Sequence, residues 1–206
     1  MQRDHVRGRF SKSEGELLVS SARNAITNFL STSRVSIPSR LSSDPRFAQK
    51  LGCFVTLNER AGTLRGCIGF AEPAFPLARA LTHAAIAAAT EDPRFRPVTL
   101  EEFGALFTEV SVLTTPEVIE VKSPRDLTKS VEVGRDGLIL QWTYGSGLLL
   151  PQVAKEYDWD AEEFLINLSI KAGAPPDEWL VPGSVVLKFQ AQRFRETSPD
   201  GAVLEE

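Results

Sequence analysis

The sequence predicts an α+β fold, a mainly antiparallel sheet flanked by helices. Helical and strand-like periods are interspersed along it without a regular strand-helix-strand alternation. Two strand-like runs, Cys53 to Leu57 and Leu64 to Phe70, are separated by a loop containing Asn58, Glu59, Arg60, Ala61 and Gly62, a hairpin on the long side of the usual length. At 206 residues, 42% hydrophobic and 24% charged, the chain can bury a real core, as one large domain or two small lobes.

Each element has a local cause. Leu18, Ala22, Ala25, Ile26 and Phe29 recur at helical spacing over residues 13 to 31, with Ser13 and Glu16 read as a capping box. Residues 31 to 46 are rich in Ser, Arg and Pro and read as a loop. Pro76 opens an alanine-rich helix to about Thr90, which Asp92-Pro93 ends. Strands are expected at Phe107 to Leu113, Val118 to Val121, Gly137 to Trp142 and Val185 to Phe194, and a short helix from Pro151. The best-specified helix covers residues 161 to 172, with Asp160 and Glu163 as its capping box and Gly173 at its C′ position. Residues 1 to 11 and 196 to 206 are expected to be tails, the latter frayed from Ser198. Asp-Pro-Arg-Phe occurs twice, at 44–47 and 92–95, either by chance, as a shared turn solution or as a trace of duplication.

Composition narrows the function classes. The net charge of -4 argues against a generic nucleic-acid binder, although arginine outnumbers lysine sixteen to seven and the N-terminus carries Arg3, His5, Arg7 and Arg9. Cys53 and Cys67 form neither a disulfide framework nor a C-x-x-C pair. With no apolar run long enough to span a bilayer and no signal-peptide core, a soluble, cytoplasmic protein is expected. No phosphate-cradling loop, dinucleotide fingerprint, G-x-S-x-G elbow or zinc-ligand spacing occurs, so no metal site is expected and no cofactor is specified.

The segment with the most information is Leu64-Arg65-Gly66-Cys67-Ile68-Gly69. In an extended strand Arg65, Cys67 and Gly69 share one face. Gly66 and Gly69 suggest a bulge or the close approach of another backbone or a ligand. A guanidinium beside a thiol favours the thiolate, while a buried cysteine paired with nothing is a small hydrophobe. Glu109 and Ser111 share a face of their own strand, where Glu109 is expected to pair with Arg65. Asp92 is expected to bond its own backbone, with Phe95 anchoring the turn and Arg94 projecting into a pocket. Arg79 and His83 share a helix face and read as a solvated stripe, and Lys171 complements its helix dipole.

This hexapeptide resembles the signature of the AMMECR domain family. The resemblance extends to Gly52-Cys53-Phe54-Val55-Thr56-Leu57, Asp92-Pro93-Arg94-Phe95, Glu109-Val110-Ser111-Val112-Leu113, Leu148-Leu149-Leu150-Pro151-Gln152-Val153 and Lys171-Ala172-Gly173, with Trp179 after it. It covers about residues 12 to 195 and implies one domain of two lobes, the second smaller, with the signature near a cleft between them. It implies no settled activity. In prokaryotes the family is associated with a radical SAM enzyme and a Memo-type protein, which points to a shared pathway. The chain departs from the family at Asp136, where His is frequent after Gly134-Arg135, and at Ser169, where Cys is frequent, so a mechanism needing those groups does not carry over.

Two functions follow as expectations. The first is a binding or adaptor protein that holds a partner segment or small anionic ligand at Arg65, Gly66, Gly69, Asp92, Arg94 and Ser111. The second is an enzyme with Cys67 as nucleophile or redox centre and Glu109 or His83 handling protons. Nucleic-acid binding is a third, weaker alternative. Oligomeric state is not specified.

Overall fold

A computed structural model describes residues 9–60 and 62–205. The chain divides into two units, residues 1–112 with 192–206, and the shorter 113–191. The expected N-terminal tail lies outside the described residues as far as Gly8. Phe10 and Ser11, also assigned to it, are instead fixed. Phe10 exchanges two hydrogen bonds with the Gln192 side-chain amide (2.7 Å each), and its ring stacks on Phe47.

In the first unit, helix α1 (Lys12–Thr32) extends one residue beyond the expected 13 to 31 at each end. Its capping box is Ser11 with Glu14 rather than Ser13 with Glu16. Both registers satisfy the S-x-x-E pattern, and the anchored Phe10 just upstream selects the earlier one. The short helix α2 (Ser39–Ser42) lies within the expected 31–46 loop, and a 3-10 turn at Pro45–Ala48 straddles its end. Strands β1 (Cys53–Asn58) and β2 (Leu64–Phe70) form the expected hairpin and are followed by helix α3 (Leu77–Thr90), with Pro76 at its N-cap. Helix α4 (Leu100–Phe103) precedes β3 (Phe107–Leu113), which pairs antiparallel with β1.

In the second unit, β4 (Glu117–Val118) is shorter than the expected Val118 to Val121 run, although the N–H of the buried Ile119 still donates to the Val186 carbonyl (2.9 Å). Helix α5 (Leu127–Ser130), strands β5 (Asp136–Trp142) and β6 (Gly145–Leu149), and helices α6 (Pro151–Glu156) and α7 (Ala161–Lys171) follow. Asp160 caps α7 by accepting from the N–H groups of Glu162 and Glu163, and Glu163 returns a bond to the Asp160 N–H. At the other end Gly173, at φ 73°, donates to Ile170 and Ala174 donates to Ser169, a Schellman closure that a side chain at 173 would strain. Asp136 and Ser169 are both buried. Against the upward push of burial, the Arg135 guanidinium and the Glu132 N–H hold the Asp136 carboxyl below its ordinary value. Ser169 Oγ donates to the Leu165 carbonyl within its own helix (3.0 Å).

Strand β7 (Val185–Glu196) pairs with β4 and β5, and beyond Gln192 it lies in the first unit. The frayed tail expected from Ser198 is replaced by strand β8 (Val203–Glu205), antiparallel to β7 with Val203 buried. The Asp200-Gly201 pair is the hairpin signal that carries this return, with Asp200 in the left-handed region at φ 56°.

The first unit's strands run in the order β2-β1-β3 with β7 beyond, so β2 is an edge. Its core gathers Leu18, Ala22 and Ile26 of α1, Leu81, Ala84, Ala85 and Ala88 of α3, and Cys53, Val55, Leu57 and Val110 of the sheet. The alternate residues Phe54, Thr56, Cys67, Gly69, Glu109 and Ser111 therefore occupy the face turned away from α1 and α3, whereas Arg65 falls at a register slip opposite Leu57 and Asn58. The chain is α+β with antiparallel strands flanked by helices. Among the described residues, no helix is long and apolar enough to cross a membrane.

Candidate functional site

Both signature glycines are explained by packing. A Cβ on Gly66 would overlap the carbonyl oxygen of Ala88, so this glycine lets α3 lie directly against β2. A Cβ on Gly69 would overlap the Phe54 ring and the Cys53 carbonyl oxygen, so the ring of the cross-strand residue fills the place of the missing side chain. Of the alternatives for Gly66, two are observed together: the Ala88 backbone approaches closely, and the register slips by one residue between Leu57 and Asn58, which leaves Arg65 as the extra residue beside Gly66.

Arg65 is buried and committed. Its Nε and Nη2 donate to the two carboxylate oxygens of Glu102, the second at 3.1 Å, and Nη2 also donates to the Arg96 carbonyl at 3.0 Å. This fork holds the Glu102 carboxyl below its ordinary value, through the hydrogen bonds from Arg65 first. The expected Arg65–Glu109 pair is not formed. Glu109 sits in the row Cys67–Thr56–Glu109 that the register lays across three strands, with Arg193 Nε 4.0 Å from its carboxylate. Ser111, Phe54 and Gly69 make the neighbouring row.

The Asp92-Pro93-Arg94-Phe95 turn grips Cys67 by its backbone. Asp92 Oδ2 accepts from the Cys67 N–H (2.8 Å) and from Arg94 Nη2 (2.7 Å). Its Oδ1 accepts from the N–H (3.1 Å) and Nε (2.9 Å) of Arg94. Arg94 Nη2 also donates to the Cys67 carbonyl oxygen at 3.3 Å. A buried carboxylate and a guanidinium together thus satisfy both backbone groups that an edge residue otherwise leaves open. Hydrogen bonding from Arg94, reinforced by the two backbone N–H groups, holds Asp92 well below the ordinary carboxylate range, and the Arg94 guanidinium is raised in turn. The Asp92 side chain is 2% exposed, whereas that of Arg94 is 53% exposed. Nη1 of Arg94 has no hydrogen-bond partner among the described residues. The Phe95 ring lies within 5.5 Å of the Arg94 guanidinium and 5.8 Å of that of Arg65.

The other Asp-Pro-Arg-Phe copy folds the same way. Asp44 accepts from the Arg46 N–H and its carbonyl from the Phe47 N–H, as Asp92 does for Arg94 and Phe95. The repeat is a shared turn solution with different use. Arg46 reaches Glu14 and the Arg9 carbonyl, while Arg94 folds back on Asp92 and the strand edge.

The AMMECR1 family model matches residues 19–194. The chain belongs to the AMMECR1 family. It is 49% identical to protein MJ0810 of Methanocaldococcus jannaschii, over 93% of this chain and 94% of that one. It is 52% identical to a protein of Methanothermobacter thermautotrophicus, over 90% and 96% respectively. The crystal structure of the uncharacterized protein PH0010 from Pyrococcus horikoshii superposes with a TM-score of 0.88 at 46% identity, covering 96% of this chain and 98% of that one. These relatives place the chain in a family without assigning it a reaction.

Within this AMMECR1 domain, three groups around the signature escaped the sequence reading: Thr56, Glu102 and the Arg96 carbonyl. Thr56 was hidden by the register: closing the 53–57 and 64–70 runs at their turn ends would set Thr56 opposite Arg65, and the slip between Leu57 and Asn58 brings it opposite Cys67 instead. His83 and Arg79 are exposed on α3, where Arg79 lies over the Phe75 ring.

Cys67 is half-buried, and its Sγ accepts a hydrogen bond from Thr56 Oγ1 at 3.2 Å. Burial pushes its thiol above the ordinary value. The Thr56 hydroxyl and Arg94 oppose that push without reversing it, and Glu109 and Asp92 add to it. Burial raises the Cys53 thiol to about 12. With a free thiol near ~8.5, Cys67 is expected to alkylate more slowly than a model thiol at pH ~8, and Cys53 only on unfolding. Mass spectrometry of each cysteine after timed alkylation reads both rates. A Cys67 rate above that of the model thiol would restore the nucleophile reading.

Proposed function

We propose that the protein is a binding module that holds an anionic group, from a partner protein or a small ligand, at the Arg65–Gly69 strand with Arg94 as the donor. The observation that carries this reading is the half-exposed Arg94, whose Nη1 faces no internal acceptor while its other nitrogens are fixed on Asp92 and Cys67. A guanidinium immobilised on one side loses little freedom on meeting a carboxylate or phosphate on the other. The buried Arg65 and Glu102 act as the brace of this site, while Ser111 and Glu109, on the sheet face that carries Cys67, are buried and do not reach the ligand. The raised thiol of Cys67 favours binding over covalent chemistry. Two free cysteines and no membrane-crossing helix among the described residues fit a reducing, cytoplasmic setting.

The test is a phosphate titration at constant ionic strength, followed by the Cys67 amide and Arg94 Nε–H signals in NMR. Saturable shifts at both are expected in the wild type, with the Cys67 shift lost in Arg94→Ala. Shifts that stay linear, or that persist without Arg94, would overturn the reading.

A further inference from the structure

Strand β2 ends the sheet order, so one row of its backbone groups faces away from β1. Since Asp92 and Arg94 take the N–H and C=O of Cys67, antiparallel alternation turns those of Gly69 to the same outer side. The 92–95 turn closes this edge at Cys67. At Gly69 it is open: neither the N–H nor the C=O has a hydrogen-bond partner on that side among the described residues, and Ile68, Gly69 and Phe70 are all partly exposed. An open edge is a template for another strand.

We infer that this edge receives the C-terminus of a partner protein, which adds as a short strand beside Gly69 and presents its terminal carboxylate to Arg94 Nη1. The inference rests on Arg94 being the anion donor of the proposed function. Gly69 and Cys67 are two residues, about 6–7 Å, apart along the strand. A segment pairing with Gly69 and continuing toward Cys67 meets the turn after one more residue, so only a chain end fits. Of the two ends, an α-amino group would bring a positive charge against the guanidinium, whereas a carboxylate is complementary to it. A C-terminus pointing at Cys67 runs antiparallel to β2. The penultimate residue then exchanges two hydrogen bonds with Gly69. Its side chain falls on the sheet face where the Phe54 ring covers Gly69, which selects an apolar penultimate residue.

The experiment uses the full chain and fluorescein-labelled hexapeptides of mixed sequence with an apolar penultimate residue, made with free or amidated C-termini. Anisotropy is expected to show binding of the free-acid pool and at least ~tenfold weaker binding of the amidated pool, as loss of a charge-assisted hydrogen bond requires. Hydrogen exchange at the Gly69 N–H is expected to slow on adding the free-acid pool. Arg94→Ala should abolish the preference for the free acid, and Arg94→Lys, which keeps the charge, should retain part of it. Equal binding of both pools, or an unprotected Gly69 N–H, would overturn the inference. If phosphate still titrates at Arg94 while no peptide binds, the anion site stands and the peptide inference falls. If neither binds, both fall.

Discussion

Gly66→Ala is expected to lower the unfolding free energy by about 3 kcal/mol, the upper range for overpacking a tight contact. The new methyl group would overlap the Ala88 carbonyl oxygen, and that atom belongs to helix backbone with no rotamer to yield. Relief requires α3 and β2 to move apart, and with them the leucine and alanine contacts of the unit's core. Gly62→Ala is the control. Its φ of 82° is unfavourable for alanine, but no atom lies near the new Cβ, so a loss of about 1 kcal/mol is expected. Urea denaturation of both variants measures the difference. A loss for Gly66→Ala no larger than for the control would mean that the helix and strand separate easily.

Asp92→Asn is expected to cost about 1–3 kcal/mol near neutral pH, the range for leaving buried donors unsatisfied. Asp92 accepts four hydrogen bonds on two oxygens, and asparagine keeps one acceptor and turns an amide donor against the others. The effect carries a pH signature. The folded carboxyl is depressed, so its stabilising contribution is fully present above the unfolded value near ~3.9 and is lost as pH falls through the folded value. The stability gap between wild type and Asp92→Asn should therefore be flat above pH ~5 and narrow progressively below pH ~4. A gap that stays constant into acid would show that ionised Asp92 contributes nothing. Because Asp92 also fixes Arg94, the variant should lose the phosphate response as well as stability.

The parts of this fold legible in the sequence are those whose causes are local. Asp160, Glu163 and Gly173 bracket α7 because capping needs only neighbours along the chain. Pro76 and the β2 boundaries follow from the same short-range chemistry. Asp92 bonding to the Arg94 N–H was legible for this reason too, and Asp44 repeats it. Choices among distant partners were not legible. Arg65 has acidic residues at many separations, and only the path of the 92–102 segment brings Glu102 to it rather than Glu109. The α1 capping register was degenerate in sequence and was settled by Gln192, far away in the chain. The grip on Cys67 combines both kinds of cause, a local turn delivered to a distant strand edge.

Residue-resolved amide hydrogen exchange reads the grip of Asp92 and Arg94 on Cys67. The Cys67 N–H, although on an edge strand, should exchange as slowly as its neighbours bonded to β1, while the Gly69 N–H two residues on should exchange fast. Fast exchange at Cys67, or protection at Gly69 in the free protein, would contradict it.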